Sequence, residues 1–544
     1  MSAPTALVFL AIPGLPLLWA ALALVPRARS RVAAGGLIAA LPALLATALL
    51  PAGAEAASPF LMLGVHWQLD AVSRPLLGVT AVLWGAAALF ARSYLAGDPG
   101  RWRFDAFFHL TFAGNLGLIV ASDPVGFYTF FAVMSLASYG LIIHGGSAAA
   151  LRAGRIYIVM AVFGEAALLT GMVGLASGVG LAWPALGLGL AVKAGVLPLH
   201  VWLPLAHPVA PVPASAVLSG AMIKAGLLGW LRFPPPDDLA PLWGAVLAGL
   251  GVAGALYAAL VGLTQNRAKE VLAYSSVSQM GVMAAAVGLA WHQPQLAGPL
   301  QGAVVAYAVH HALTKGSLFL ATGWLERGGG MPARVALVLA AAVMAGLPAT
   351  GGAAVKALLK APLAGLPAGA QTASLVLSAS ALVTALLMAR LLVVAWPREA
   401  AAAAAPRGQG LATGSVVGLA VAVPLIWTPL AAGVSESLTH ALGATVGPLL
   451  GAALIAMALL RWRGLRPWGP PIPAGDLLAL LPAPALRWRS GAVRRRRAPW
   501  PAALTRVPGH WLGRGEAALA SWRGTGVALL IVAVAVAVAV TRYG

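Results

Sequence analysis

One stretch decides the fold of this chain: residues 190–233, with the sequence LAVKAGVLPLHVWLPLAHPVAPVPASAVLSGAMIKAGLLGWLRF. Two apolar runs flank a segment rich in proline, and each run carries one lysine, Lys193 in the first and Lys224 in the second. Placing a lysine at membrane depth costs free energy, so lysines there face a polar interior or a water-filled path. Two such lysines around a proline-broken segment predict a polar path through a membrane.

Composition places the whole chain in a membrane. Of its 544 residues, 60% are hydrophobic and 9% are charged, whereas a soluble domain carries about 25% charged residues. The chain has no cysteine, which excludes disulfides and thiolate-bound iron–sulfur clusters. No glycine-rich nucleotide motif stands in the right context. We therefore expect no cofactor on this chain, and we assign its net charge of +21 to loops and anionic lipid, not to nucleic acid.

Apolar runs of about twenty residues predict about sixteen spanning helices, and we interpret the N-terminal run as one of them, not as a cleaved signal. Basic residues follow the odd-numbered spans, among them Arg27, Arg101, Arg152, Arg267, Arg327 and Arg398. By the positive-inside rule, both termini then lie on the outer side. Two spans contain an internal proline and are predicted to be broken: Trp183–Leu203 at Pro198 and Val335–Leu363 at Pro348.

The ionisable residues inside the spans are the candidates for proton transfer, because buried lysines exchange their protons readily and a nearby glutamate can hold them charged. The relay candidates are Glu165, Lys193, Lys224, His311, Lys315 and Lys356. Secondary candidates are His200, His207, His310, Lys360 and Arg390. Static ion pairs, hydrogen bonds between helices and snorkelling to the interface are the structural alternatives. The histidines lack metal-ligand spacing, so no metal site is predicted.

The two broken helices suggest an internal repeat. Lys193 precedes the break in the first, and Lys356 follows the break in the second. Broken helices at corresponding positions of two inverted halves indicate a transport site near the middle of the membrane.

Four motifs carry a resemblance to a known family. The stretch from Lys193 to Arg232, together with NRAKEVLAYSSVSQMG (266–281), HHALTKGSLFLATG (310–323) and GLPATGGAAVK (346–356), resembles the proton-conducting, antiporter-like membrane subunits. These subunits occur in respiratory complex I, Mrp sodium/proton antiporters and membrane-bound nickel–iron hydrogenases. The resemblance covers about Asp70–Trp396 and is closest to the large membrane subunit of the hydrogenase-4 and formate hydrogenlyase group.

The resemblance implies an all-α fold with two inverted five-helix repeats in a prokaryotic inner membrane. It gives Lys193 the role of relay lysine of the first half, with Lys224 as its neighbour, Lys315 as the linking lysine and Lys356 as the terminal lysine. The expected parts are 1–103 with three helices, the repeats 104–233 and 234–396, 397–460 with two helices, the connector 461–523 and a last helix in 524–544. The connector is basic and rich in tryptophan and proline, which fits a lipid-surface segment or a short lateral brace.

One departure from the family pattern concerns the first half. In the stretch FFAVMSLASYGL, Ala132 stands where the family usually places a glutamate. Glu165, one span later, is the acidic residue available to replace it. We therefore expect Glu165 to pair with Lys193.

The sequence predicts a proton-translocating membrane subunit of a complex I-like or hydrogenase-type redox complex. Such a chain has no redox chemistry of its own, so its partners would be other membrane subunits and peripheral iron–sulfur, hydrogenase-like subunits. Three alternatives fit the same features: a subunit of a cation/proton antiporter, the membrane partner in a proton-driven inorganic-carbon uptake complex, and a non-conducting scaffold, which Ala132 would favour.

Overall fold

The structure is a computed structural model that describes residues 3–61, 64–179, 182–363, 368–396, 406–427, 429–431, 434–435, 446–463, 466 and 472–479. The predicted last helix and most of the predicted connector lie outside these residues. Described residues fall mainly in one unit, Met1–Ala56 with His66–Ala479. A second unit includes residues 57–65, at the tip of a hairpin.

The described chain is almost entirely helical. The N-terminal part contains α1 (Ala3–Leu24), α2 (Arg29–Gly35), α3 (Leu41–Leu49), a hairpin of β1 (Ala54–Ser58) and β2 (Val65–Leu69), and α4 (Ser73–Tyr94). The helices that follow are α5 (Arg101–Val120), α6 (Pro124–Ile142), α7 (Ala148–Ala176), α8 (Trp183–Ala194), α9 (Trp202–Val209), α10 (Val212–Val217), α11 (Lys224–Arg232), α12 (Ala240–Leu263), α13 (Ala268–His292), α14 (Ala297–Glu326), α15 (Gly330–Ala345), α16 (Gly351–Lys360), α17 (Ala368–Ala395), α18 (Arg407–Ile426), α19 (Val446–Arg463) and α20 (Asp476–Ala479).

Ten segments of the described chain are long and apolar enough to cross a membrane. They include Ser73–Tyr94, Ala148–Leu175, Val212–Arg232, Ala240–Leu263 and Ala268–His292. The helices α5 and α14 are also 20 and 30 residues long, but their polar side chains lower their hydropathy. The protein is therefore a helical, multi-spanning membrane protein, and the expected total of about sixteen spans stays a prediction.

Local sequence explains where the helices begin and end. The Asp123 carboxylate caps α6 by accepting a hydrogen bond from the Gly126 amide at 2.7 Å, and the Ser147 hydroxyl caps α7 through the Ala150 amide at 3.1 Å. Both side chains satisfy amides that have no partner within the helix. At the two breaks, α8 ends on Gly195 (φ +69°) and α15 on Gly346 (φ +89°). Glycine adopts this left-handed conformation without steric cost.

Glycines bring α12 and α13 into close contact. A Cβ atom added at Gly251 would lie 2.5 Å from the Gly281 carbonyl oxygen, and one added at Gly288 would lie 2.5 Å from the Gly244 carbonyl oxygen. Small residues at helix crossings let backbones approach and pack where lipid provides no hydrophobic driving force. As a result, α13 lies in the interior of the protein, and its apolar stretch is completely buried.

The β-hairpin was not predicted from the sequence. Its second strand is anchored to the loop before α6, because the His66 amide donates to the Asp123 carboxylate at 2.9 Å and the Ser122 amide donates to the His66 carbonyl at 2.8 Å. Both strands are only five residues long and β1 is alanine-rich, so the hydrophobic pattern of the neighbouring spans masks them.

A loop contact makes a prediction about pH. The His144 ring lies 2.8 Å from the Asp98 carboxylate, which also accepts a 2.6 Å hydrogen bond from the Gly100 amide. Partial burial raises the pKa of Asp98, but these hydrogen bonds and the charges of His144 and Arg103 outweigh it, so the pKa is lowered. A lowered carboxyl pKa contributes stability above the pKa of the unfolded chain, and that stability is lost as pH falls through the folded value.

We therefore expect Asp98→Asn to lower the apparent melting temperature of the purified protein slightly at neutral pH and to have no effect in acid. Melting curves of both proteins across the acid range measure this. A constant difference between them at every pH would contradict the prediction.

Candidate proton-transfer site

The first half-helix, α8, ends close to Lys193. Lys193 lies in the last turn of α8, one residue before the backbone turns at Gly195. The carbonyls at this end have no partner within the helix, and the Trp202 indole donates to one of them, that of Val192, at 2.9 Å. The break begins at Gly195, ahead of the predicted Pro198. Because the C-terminal end of a helix is partially negative, this position favours a cation.

Lys193 and Glu165 face one cavity. Its lining includes Ser135, Tyr157, Glu165, Lys193 and Trp202. Glu165 is 7% exposed and Lys193 is 5% exposed. Among the described side chains, the hydrogen-bond partner of the Lys193 ammonium is the Tyr157 hydroxyl, at 3.4 Å, and not Glu165. The structure thus brings the two predicted partners into one cavity, with a tyrosine beside the lysine.

Tyr157 was missed by sequence reasoning. Its hydroxyl donates to the Ser135 carbonyl at 2.7 Å and lies 2.5 Å from the Ser138 hydroxyl. These serines stand on α6, close to Ala132, where the family glutamate is absent. The Ser-Tyr motif of α6 was visible in the sequence, but the contact with Lys193 depends on how α6, α7 and α8 pack.

The second broken helix places its lysine differently. Lys356 lies on α16, after the break, and its ammonium donates to the Ala345 carbonyl at the end of α15, at 2.7 Å. A Cβ atom added at Gly346 would lie 2.7 Å from the same ammonium. Both broken helices therefore bring a lysine to the C-terminal end of a half-helix, where the backbone carbonyls favour positive charge.

Lys224 stands at the end of an irregular turn. Residues Leu218–Met222, between α10 and α11, form a π-helical turn, a feature often found at functional sites. The Lys224 ammonium donates to the Ser219 carbonyl at 2.8 Å and lies 2.5 Å from the Nδ1 atom of His311. This contact joins the two predicted halves across 87 residues of sequence.

Serines of α13 surround the next lysine. Lys315 is completely buried, and its ammonium donates to the Leu272 carbonyl at 2.9 Å and to the Ser275 hydroxyl. The neighbouring Ser276 hydroxyl lies 2.6 Å from the hydroxyl of Ser219, the residue whose carbonyl accepts from Lys224. The lysines of α11 and α14 are therefore embedded in one group of serines.

Three of the secondary candidates, His310, His207 and Lys360, each contact a different neighbour. His310 is buried, and its ring packs against α16, since a Cβ atom at Gly351 would lie 2.7 Å from its Nδ1 atom. His207 is also buried, with its ring stacked on Phe319 at 4.7 Å. Lys360 donates to the Ser378 hydroxyl at 2.8 Å.

Arg390 lies on α17 and contacts the loop after α12. It is fully buried, and it donates to the Gln265 carbonyl at 2.9 Å and the Arg466 carbonyl at 3.1 Å. It holds the loop after α12 together.

Sequence reasoning also missed Asp476. This carboxylate, in the predicted connector, is 5% exposed. One of its oxygens lies 3.4 Å from the Nε2 atom of His200, in the first break, and the other accepts from the Tyr257 hydroxyl at 2.7 Å. The sequence offered one hint of this role: Asp476 and Glu516 are the two acidic residues in the otherwise basic connector.

Comparison with known proteins identifies the family. Residues 177–395 match a family model described as "NADH:quinone oxidoreductase/Mrp antiporter, TM". The chain is also 31% identical over 405 residues to the NADH-quinone oxidoreductase subunit N of Desulforudis audaxviator, an alignment that covers 64% of this chain and 79% of that protein. The chain belongs to the NADH:quinone oxidoreductase/Mrp antiporter family.

Other members of the family are similar over shorter stretches. The hydrogenase-4 component B of Escherichia coli is 31% identical over 303 residues, which is 50% of this chain and 44% of that protein. This chain thus spans less than half the length of that relative.

Solved structures confirm the fold of the family. A chain of the Mrp complex from a Dietzia species superposes on all of this chain and 63% of its own length, with a TM-score of 0.70 at 21% identity. A chain of the membrane-bound sulfane sulfur reductase, an archaeal respiratory membrane complex, matches 83% of this chain and the whole of its own, with a TM-score of 0.67 at 19% identity.

In this antiporter-family fold, five of the six relay candidates fall into two groups, and Lys356 lies separately at the second break. One is the cavity of Lys193, Tyr157 and Glu165. The other is the contact of Lys224 with His311, to which His310, Lys315 and the serines of α13 are adjacent. Groups of this kind can accept and release protons, and a positioned acid–base group speeds transfer by about 10²–10⁴-fold.

Proposed function

We propose that this chain is a proton-translocating membrane subunit of a complex I-like or hydrogenase-type redox complex, and that it relays protons through its buried lysines. The observation that carries the proposal is the 2.5 Å contact of the Lys224 ammonium with Nδ1 of the buried His311. Two groups that both exchange protons, in direct contact away from water, are what a relay step requires.

Other ionisable groups lie in the same fold. His310 precedes His311 on α14 and approaches Gly351 of α16, the helix that carries Lys356, and Lys193 and Glu165 line a cavity in the first half. Within the described chain, the ammonium groups of Lys224, Lys315 and Lys356 each donate to a backbone carbonyl. Neutral acceptors leave each lysine free to lose its proton, whereas a carboxylate partner would hold it charged.

The proposed architecture comprises two inverted repeats, residues 104–233 and 234–396, preceded by 1–103 and followed by 397–460, 461–523 and 524–544. The two half-helix ends support this division, because Lys193 stands in the last turn of α8 and Lys356 donates to the Ala345 carbonyl at the end of α15. Loop charge supports an orientation with the basic loops inside and both termini outside.

The family relatives support membrane-subunit partners, since both the Mrp complex and the sulfane sulfur reductase are multi-subunit assemblies. We propose that electron transfer takes place on peripheral redox subunits. Those subunits would act on this chain through contacts and charge. Moving one charge through 100 mV corresponds to about 2.3 kcal/mol, which is comparable to a shift of about two pH units in proton affinity.

The experiment is proton flux in proteoliposomes that contain the purified chain. An imposed potassium diffusion potential drives the flux, and an enclosed pH dye reports it. We expect Lys193→Met to lower the flux about tenfold, less than the loss of a central acid–base group, because the second half keeps its own lysines. Glu165→Gln should give a smaller loss in the same direction, because Glu165 is the charge beside Lys193.

Arg152→Gln is the matched control, because Arg152 is exposed and equally basic, and its flux should equal that of the unaltered chain. A chain that conducts no protons would support the scaffold, the alternative that Ala132 favours. A flux that requires sodium would assign the chain to cation/proton exchange.

A further inference from the structure

The connector returns to the bundle beside the first break. The Gln265 side chain donates to the Ile472 carbonyl at 3.0 Å, four residues before Asp476. Asp476 then reaches the Tyr257 hydroxyl of α12 at 2.7 Å. Gly475 packs against α9, since a Cβ atom added there would lie 2.9 Å from the Leu205 side chain. Several contacts thus hold the segment 472–479 against α9, α12 and the loop after α12. Asp476 is the buried charged residue of this segment.

The buried carboxylate faces a buried histidine. Asp476 Oδ1 accepts from the Leu477 amide at 2.7 Å and lies 3.4 Å from Nε2 of His200. His200 is 0% exposed, and neither of its ring nitrogens has a hydrogen-bond partner in the described part of the chain, so Asp476 lies within ion-pair distance of Nε2 without a hydrogen bond. A buried carboxylate is unfavourable unless it is paired and hydrogen-bonded, and the facing ring becomes a cation when it binds a proton.

The groups around this pair are tyrosines. From α12 and α13, the rings of Tyr257 and Tyr274 pack on His200 at 5.9 and 6.5 Å between centroids. These are neutral groups, so Asp476 provides the negative charge at His200. An opposite charge at this distance favours the charged form of its partner.

We propose that His200 and Asp476 form a proton-binding site at the first break, in which His200 takes the proton and Asp476 positions the ring and stabilises the imidazolium. The proposal rests on the proposed proton conduction and adds a site outside the lysine row. His200 lies seven residues after Lys193, on the opposite flank of the break. In this role, His200 would hold a proton between the connector segment 472–479 and Lys193. Asp476 is a positioning residue, because it acts through His200.

The first test is the pH profile of proton flux in proteoliposomes. We expect Asp476→Asn to change the pH dependence of the flux, because His200 loses the negative charge that faces it. His200→Gln should lower the flux at every pH. Asp476→Glu, which keeps the charge, should restore most of the original profile.

The matched control is Gln265→Leu, which loosens the same segment at the Ile472 carbonyl without removing charge. If the segment acts only as a structural tether, Gln265→Leu and Asp476→Asn will lower the flux alike and leave the profile in place. That result would overturn the proposal.

A second measurement does not depend on flux. Infrared difference spectra of the full chain between about pH 8 and pH 5, the range in which histidine changes charge, would be recorded with ring-labelled histidine. One imidazolium signal should be missing in His200→Gln and should form only at lower pH in Asp476→Asn. Its persistence in His200→Gln would overturn the site even if the chain conducts protons, whereas a signal without flux would count against the proposed function alone.

Discussion

Replacing Lys224 with methionine will lower proton flux through the reconstituted chain by about 10²-fold, the lower end of the range for a positioned acid–base group. The physical reason is its place in the structure. Its ammonium is 2.5 Å from His311 and 2.8 Å from the Ser219 carbonyl. Methionine fills the same volume but carries no proton, so it interrupts the contact between the halves.

The same position distinguishes charge from proton exchange. Lys224→Arg keeps the positive charge, but an arginine does not release its proton. We therefore expect it to block the flux nearly as strongly as methionine. His311→Gln should reduce the flux by a similar factor, because it removes the partner atom on α14.

Flux in proteoliposomes under an imposed membrane potential measures all three variants, with Arg152→Gln as the charge-matched control. Size-exclusion chromatography of each protein establishes that it remains folded. A folded Lys224→Met chain with unaltered flux would remove Lys224 from the path and, with it, the main support for a relay through the centre.

Replacing Gly352 with alanine will destabilise the second broken helix and displace Lys356. A Cβ atom at Gly352 would lie 2.1 Å from the Val343 carbonyl oxygen and 2.9 Å from the Gly346 Cα atom. Both neighbours are backbone atoms, so α16 must move away from the end of α15. Overpacking of this kind costs about 1–3 kcal/mol, and the 2.7 Å hydrogen bond from Lys356 to the Ala345 carbonyl would lengthen.

We expect a lower apparent melting temperature in detergent, measured by the fraction of monodisperse protein left after heating. The flux should fall as well in the protein that remains folded. Gly414→Ala in α18 is the control, because nothing lies within 4 Å of a Cβ atom added there. Alanine is a better helix former than glycine by about 1 kcal/mol, so that variant should be equally or more stable. Similar losses in both variants would contradict the packing argument.

Much of the site could be predicted residue by residue. Lys193 and Lys356 are placed by the apolar runs and by the breaks near Pro198 and Pro348, because a proline cannot continue the helical hydrogen bonding. The breaks themselves are set by Gly195 and Gly346, each in a left-handed conformation.

Other elements could not be predicted. The π-helical turn before Lys224 leaves no trace in the hydrophobic pattern, because all of its residues are buried. Periodicity carries information only where one face of a helix differs from another. For the same reason, the polar role of Ser275 was not apparent in the uniformly buried α13. Tyr157 lies on α7, which is only partly buried, and its contact with Lys193 depends on how α7 and α8 pack.

The amino-acid sequence is enough to predict a helical membrane protein with two broken helices, each of which carries a lysine. Composition, span length and proline position are local properties, and they act within one segment of the chain. The tertiary structure alone decided which groups meet: Lys224 with His311, Lys193 with Tyr157, and His200 with Asp476. Such contacts join distant segments, and they depend on how closely the helix backbones pack, which glycines such as Gly251 and Gly281 permit.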